Sequence, residues 1–359
     1  MSGVGERLSR LRERMAEREL DALVVSSPAN VFYLSGFRGS SGALLITAGR
    51  AILASDFRYR LQAKEQAPGF EFVEVSSTFP RLGEQAKELG IRGLGYDAAH
   101  LTCEQRDQLA ESAGEAELVA APGLVEALRA VKSPAEVEHM RAAARLADRA
   151  LEHMVSLLRP GAVERQIALE TEFLMRREGA EGVPFELIVA SGPRSALPHA
   201  ETTAGQLEPG DLVVVDIGAR SGGYCSDMTR TFAVGSASAQ AREIYALAYR
   251  AQRAGVDAVK EGAVCGEVDA AARCVIEEAG YGEAFGHGLG HGVGVEVHEG
   301  PRLKKGEEAT LVAGNVVTVE PGIYLEGVGG VRLEDLVLVT AQGAETLTSS
   351  PLADELPIV

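Results

Sequence analysis

The residues best suited to chemistry gather in the second half of this 359-residue chain. LVVVDIGARSGGYCSDMTRTFAV reads as two apolar β-runs around Arg220-Ser221-Gly222-Gly223, where glycine permits the positive φ of a tight hairpin turn. A turn centred between Ser221 and Gly222 sets Asp216 opposite Asp227, and opposed side chains have Cβ atoms about 5 Å apart. Two carboxylates at that range repel, so one holds a proton unless something positive lies between them. The acids sit in strongly apolar strands, where Val213 and Val215 alternate with Val214 and Asp216. That pattern places them at the rim of a core and argues against a purely solvated pair.

A second ribbon, VVTVEPGIYLEGVGGVRLEDLVLV, turns around Glu326–Gly330 and sets Glu320 and Glu334 symmetrically about Gly327. Pro321 and the extra glycines distort this ladder, yet both acids come from one side of it. Between the ribbons lies Gly286-His287-Gly288-Leu289-Gly290-His291-Gly292, with His298 seven residues on. The stretch is too rich in glycine for a stable helix and suits backbone wrapped around a site. Four carboxylates and one neutral imidazole balance two divalent cations. Oxygen donors with a single nitrogen suit Mn²⁺, Co²⁺ or Zn²⁺ better than copper, and Cys225 is not needed. Two such ions side by side lower the pKa of a water and polarise a carbonyl. The remaining histidines would orient a scissile peptide or exchange protons.

The elements that must position these groups fall into two regions. From residue 1 to 131, a helix over Glu6–Glu19 precedes short strands in DALVVSS, SGALLIT, RAILASD and FEFVEV, with a further helix near Glu104–Ser112. This is an α/β domain. GFRGSSG at 36–42 lacks the spacing of a phosphate loop, so its glycines serve turns. Ser133-Pro134-Ala135-Glu136 is a capping box with proline at the first helical position, and it opens the second domain, 132–359. Val137, Met140, Ala144, Ala147, Leu151, Met154 and Leu158 line one face of the helix that follows, until Arg159-Pro160-Gly161 stops it. Further helices are expected at 163–177, 239–255 and 267–279. Strands are expected at 184–190, 211–219, 224–233, 315–324 and 331–340. Helices beside antiparallel hairpins make this domain α+β.

Composition narrows the function from outside. The chain is 46% apolar, and its 52 Asp and Glu exceed its 35 Lys and Arg for a net charge of −17. A binder of nucleic-acid backbone collects the opposite charge. Residues 1–131 carry 15 basic against 18 acidic side chains, so most of the excess lies in the second domain. No apolar run approaches the ~20 residues needed to span a bilayer. The N-terminal MSGVGERLSRLRERM is amphipathic and unlike a secretory signal. Cys103, Cys225, Cys265 and Cys274 show no CxxC spacing, as expected of free thiols in a reducing cytoplasm.

These residues resemble the proline-specific metallopeptidases of the pita-bread class, the aminopeptidase P and prolidase branch of family M24. NVFYLSGF, DFRY and VKSPAEVEHMR are similar to its N-terminal domain and linker. VVDIGA, SDMTRTF, GHGLGHGVGVEVHE, TVEPGIY and GVRLED follow in family order. The resemblance implies an α+β pita-bread catalytic domain behind a smaller creatinase/prolidase-like α/β domain. It implies Asp216, Asp227, His291, Glu320 and Glu334 as ligands of two divalent ions, usually Mn²⁺ and sometimes Co²⁺ or Zn²⁺, with Asp227 and Glu334 bridging. Glu320 would double as general base, His298 would bind the peptide carbonyl, and His199 would face the substrate. His287, Tyr324 and Arg332 would complete the pocket. Arg194, in SGPRSALPH, stands where relatives often have asparagine. The implied reaction is removal of the residue before proline, in the manner of aminopeptidase P, with Xaa-Pro dipeptidase as the alternative. A non-hydrolytic peptide- or protein-binding member is a remoter one. The family tendency is a homodimer, and the expected partners are proline-containing peptides, with no nucleic acid and no membrane.

Overall fold

The computed structural model describes residues 3–359; the first two positions of the N-terminal segment lie outside the described residues. The chain divides into two compact units, Met1–Arg129 and Ala130–Val359.

The first unit runs α1 (Gly3–Glu17), β1 (Ala22–Val25), α2 (Pro28–Ser35), β2 (Ala43–Thr47), β3 (Ala51–Ser55), α3 (Arg60–Gln66) and β4 (Glu71–Glu74). It continues through α4 (Thr78–Glu88), β5 (Gly93–Tyr96), α5 (Cys103–Ser112), β6 (Glu117–Ala120) and α6 (Glu126–Arg129). Its six strands form one mixed sheet in the order β4-β3-β2-β1-β5-β6. Strand periodicity explains how both faces are covered. Leu23 and Val25 point into one apolar cluster with Leu11, Leu34 and Phe37, while Ala22 and Val24 point into another with Leu82, Leu94 and Leu109.

The second unit opens with α7 (Pro134–Leu157), whose Ser133/Glu136 capping box is fully formed, and α8 (Glu164–Arg177). The strands β7 (Ile188–Ser191), β8 (Leu212–Ile217), β9 (Arg220–Ser221), β10 (Tyr224–Cys225) and β11 (Met228–Ala233) follow, before α9 (Ala239–Ala258) and α10 (Cys265–Glu278). The chain ends in β12 (Gly290–Gly292), β13 (Glu299–Leu303), β14 (Val316–Val319), β15 (Gly322–Leu325), β16 (Gly329–Arg332), β17 (Asp335–Thr340) and β18 (Gly343–Thr346). Sheets of order β11-β8-β7 and β13-β12-β14-β17-β18 carry the two ribbons.

This unit repeats itself. Gly161-Ala162-Val163 before α8 and Gly262-Ala263-Val264 before α10 make the same turn, with φ of 80° and 81° at the glycines. Leu207 and Leu311 each exchange two backbone hydrogen bonds with those turns, and Val163 and Val264 each form an antiparallel bridge. One core gathers around α7, α8 and β8, the other around α9, α10 and β14. Among the described residues, no helix is long and apolar enough to cross a membrane.

Two sequence expectations change. Gly222 and Gly223 both adopt positive φ, 59° and 84°, so the first hairpin turns on that pair and not on Ser221-Gly222. The register moves accordingly, and Asp216 faces Thr229 instead of Asp227. A slip of two residues preserves the face on which side chains emerge, so both aspartates still leave the ribbon together. The strand expected at 184–190 begins only at Ile188, because Pro184 and Phe185 pack against Gly218 as irregular chain. The second ribbon keeps its expected symmetry. Val319 faces Asp335 and Gly322 faces Arg332, leaving Glu320 and Glu334 matched in the gap between two ladders.

Candidate metal centre

Asp216 is the penultimate residue of β8, Asp227 lies in the break between β10 and β11, and His291 is the middle residue of β12. Glu320 and Glu334 occupy the breaks in the second ribbon, where the chain leaves one ladder and joins another. Interrupted strands let a carboxylate turn inward without breaking a ladder. Glu320 N–H instead donates to the Leu289 carbonyl at 2.8 Å, and Glu334 N–H to that of Thr229 at 3.1 Å.

The ligand atoms of Asp227, His291 and Glu334 come within 4.8 Å of one another, and all three residues are buried. His291 Nε2 stands 3.3 Å from Glu320 Oε1 and 3.7 Å from Asp227 Oδ2. Its Nδ1 faces the Gly292 carbonyl at 3.0 Å, and a carbonyl only accepts, so Nδ1 carries a hydrogen. Nε2 then meets two carboxylates, an arrangement satisfied only by a shared cation, whether proton or metal. Asp216 Oδ2 accepts from Arg332 Nη2 at 2.6 Å, while its buried Oδ1 has no partner among the described residues.

The electrostatics point the same way. Burial and the neighbouring acids Glu334, Asp216 and Glu320 push the Asp227 carboxyl well above its ordinary range. Burial, Glu320 and Asp216 do the same to Glu334, and burial outweighs Arg332 in raising Asp216. Glu320 goes the other way, to about 2, because His291, His287 and Arg332 overcome the effect of burial. Four acids thus face one arginine. The orphaned Asp216 oxygen, the aimed imidazole nitrogen and the crowded carboxylates form a donor set that fits two hard divalent cations.

The surrounding cavity measures about 490 Å³. Asp216, Asp227, Glu320, Glu334, His291, His298, His199, His287 and Arg332 all line it. His298 sets its ring 4.3 Å from that of His291, nearly edge-on, and desolvation followed by the charge of His291 lowers its pKa. Tyr324 stands behind the lining. Arg332 Nη1 donates to its hydroxyl at 3.0 Å, and that hydroxyl lies 3.0 Å from His287 Nε2. Because His287 Nδ1 is turned to the Gly288 carbonyl at 2.8 Å, Nε2 accepts and the chain runs Arg332 to Tyr324 to His287.

Arg194 acts on the loop that carries His199. Its Nη1 reaches both oxygens of Glu164, at 2.9 and 2.7 Å, and its Nη2 donates to the Glu201 carbonyl. Glu164 is almost fully buried at the start of α8 and also accepts from Ser191 and Thr203. Arg194 therefore ties the loop to a helix and touches none of the five proposed ligands.

Sequence reasoning missed Phe185, Glu186, Ile188, Arg302 and Lys304, which also line the cavity. Arg302 lies directly opposite His291 in the β12–β13 pairing. Its position four residues after His298 was the available signal. Thr229 was missed as well; its hydroxyl donates to Glu334 Oε2 at 2.6 Å.

Residues 138–341 match the family described as Metallopeptidase family M24, and residues 7–131 match the Creatinase/Prolidase N-terminal domain. The chain is 38% identical over 350 residues to an Xaa-Pro dipeptidase of Pyrococcus furiosus, covering 96% of this chain and 98% of that protein. A solved Xaa-Pro dipeptidase from Bacillus anthracis superposes with a TM-score of 0.96 at 43% identity, over 99% of this chain and 100% of the other. An X-Pro aminopeptidase from Thermotoga maritima gives 0.89 at 36% identity, over 98% and 100%. With a creatinase/prolidase N-terminal domain ahead of a pita-bread catalytic domain, the chain belongs to metallopeptidase family M24.

Proposed function

We propose that this protein hydrolyses the peptide bond of Xaa-Pro dipeptides, using two divalent ions that Asp216, Asp227, His291, Glu320 and Glu334 would hold. Mn²⁺ is the first candidate, then Co²⁺ or Zn²⁺. When bound, the ions supply Lewis acidity and make a water nucleophilic near neutral pH. Glu320, ionised at neutral pH, accepts a proton from the attacking water and returns it to the leaving proline nitrogen. His298, neutral at the same pH, donates to the scissile carbonyl as negative charge develops there. His199 faces the substrate from the wall of the same cavity. His287 is held by Tyr324 to orient the substrate, while Arg332 fixes Asp216.

The observation that carries the dipeptide reading is Arg302. It projects beside His291 at the cavity wall, and its guanidinium makes no hydrogen bond or ion pair among the described residues. Lys304, two residues on, lines the same wall. A free cation one strand away from the proposed ligand His291 suits the carboxylate of a C-terminal proline, with Phe185 and Ile188 as apolar surface for its ring. A longer peptide has an amide at that point and leaves the charge unpaired. The named relatives weigh the same way, with dipeptidases at higher identity than the aminopeptidase. The prolidase alternative therefore displaces the aminopeptidase P expectation as the leading reading.

The division into an accessory domain, 1–131, and a catalytic domain, 132–359, is part of this proposal, as are a cytoplasmic location and a homodimer. The deciding experiment compares cleavage of Ala-Pro with Ala-Pro-Ala by the metal-loaded enzyme. Dipeptide cleavage at least ~10-fold more efficient supports the proposal, that being the low end for a charge-assisted hydrogen bond. Efficient release of alanine from the tripeptide restores aminopeptidase P.

A further inference from the structure

The glycine-rich loop that carries His287 and leads to His291 anchors only one apolar side chain, Leu289, in the core, yet it must hold one conformation. Glycine offers no bulk to wedge against and loses the most backbone freedom on ordering. A further restraint, on the backbone itself, comes from α10. Arg273 binds Asp269 through both carboxylate oxygens, Nε to Oδ2 at 2.8 Å and Nη2 to Oδ1 at 2.9 Å. The same guanidinium donates from Nη1 to the Phe285 carbonyl at 2.8 Å and from Nη2 to the His287 carbonyl at 2.7 Å. It also lies over the Phe285 ring, 4.1 Å from its centre. Asp269 Oδ1 in turn accepts from Leu289 N–H at 2.9 Å.

One i,i+4 pair thus grips three backbone groups within five residues of loop. Both side chains are shielded, at 1% exposure for Asp269 and 13% for Arg273. Leu289 is held from its other side as well, because its carbonyl accepts from Glu320 N–H at 2.8 Å. The residue midway between His287 and His291 is therefore pinned between α10 and a proposed metal ligand.

We propose that Asp269 and Arg273 are positioning residues that fix the glycine loop and set His287 in the substrate cavity. The pair acts through geometry. Only a planar fork can meet two carboxylate oxygens and two carbonyls together, so lysine cannot replace Arg273.

The test has one arm that needs no activity and one that does. In the first, backbone amide exchange is followed in the metal-free full-length protein and in Arg273→Met, Arg273→Lys and Asp269→Asn. The Leu289 amide should exchange ~10-fold faster or more in the Met and Lys variants, while the buried amides of α9 keep their rates. Unchanged exchange at Leu289, or protection restored by lysine, overturns the proposal. Should Arg273→Met not fold, Asp269→Asn serves, since it preserves volume and removes the charge from the pair.

The second arm rests on the peptidase reading. Arg273→Met should lower kcat/KM for Ala-Pro by about 10²-fold, the scale of a small misplacement of a substrate-positioning group. In a His287→Ala background the same substitution should cost less than ~3-fold, because its effect passes through His287. A full second loss overturns the proposal, as does unchanged catalysis with only a lowered melting temperature. If the protein cleaves no Xaa-Pro substrate, the peptidase reading fails while the exchange arm still decides this one.

Discussion

Removing the metal should leave the protein strained, and removing one acid should relieve that strain. Oxygens of Asp227 and Glu334 lie within 4.8 Å of each other, with Glu320 and Asp216 nearby and Arg332 as the countercharge. At an effective dielectric of about 20, two like charges at that spacing repel by about 3.5 kcal/mol. The carboxyls respond by binding protons, and both are raised well above their ordinary values. Between about pH 4, where the unfolded carboxyls titrate, and these higher native values, the folded chain holds more protons than the unfolded one. Stability of the metal-free protein must therefore fall as pH rises across that window. Asp227→Asn keeps the volume and deletes one charge, so it should stabilise the metal-free protein at pH 7 by about 1–3 kcal/mol and flatten its pH dependence. The melting temperature then rises by about 2–4 °C per kcal/mol. With saturating Mn²⁺ the order reverses, because the variant has lost a ligand. Scanning calorimetry of chelator-dialysed and metal-loaded samples from pH 5 to 8 checks both. Metal-free Asp227→Asn melting at or below metal-free wild type throughout that range refutes the reasoning.

Three further perturbations probe other parts of the account. Arg302→Met should raise KM for Ala-Pro by about 10-fold or more, the scale of a lost charge-assisted hydrogen bond, and should move kcat less; steady-state kinetics decide it. His298→Ala should lower kcat by about 10²–10³-fold with metal content unchanged by elemental analysis, as for removal of an oxyanion donor. Lys132 and Glu299 form a shielded ion pair beside His298, at 1% and 5% side-chain exposure and 3.3 Å apart. Lys132→Met should cost about 3–5 kcal/mol in urea unfolding, the usual penalty for breaking such a pair.

Much of the site was legible because local rules placed it. The Ser133 capping box, the strand alternation around Val213–Val215 and the symmetry of Glu320 and Glu334 about Gly327 are each set within one short segment, and each formed as read. The first ribbon slipped because two adjacent glycines were available and the turn used both. Side-chain parity made that error harmless to the convergence of Asp216 and Asp227. Contacts between distant segments were not legible. Nothing local says that Arg273 reaches back to the His287 carbonyl, that Glu164 anchors Arg194, or that Arg302 faces His291 across a ladder. Those pairings are settled by tertiary packing, and the repeated Gly-Ala-Val turns ahead of α8 and α10 were visible in sequence without their meaning.

The most direct test of the whole account is a titration of Mn²⁺ into chelated, metal-free enzyme while Ala-Pro hydrolysis is followed. Five ligand groups sharing two ions predict no hydrolysis without metal and a rise that breaks at two equivalents. Hydrolysis that persists in rigorously metal-free protein, or full activity at one equivalent, would contradict it.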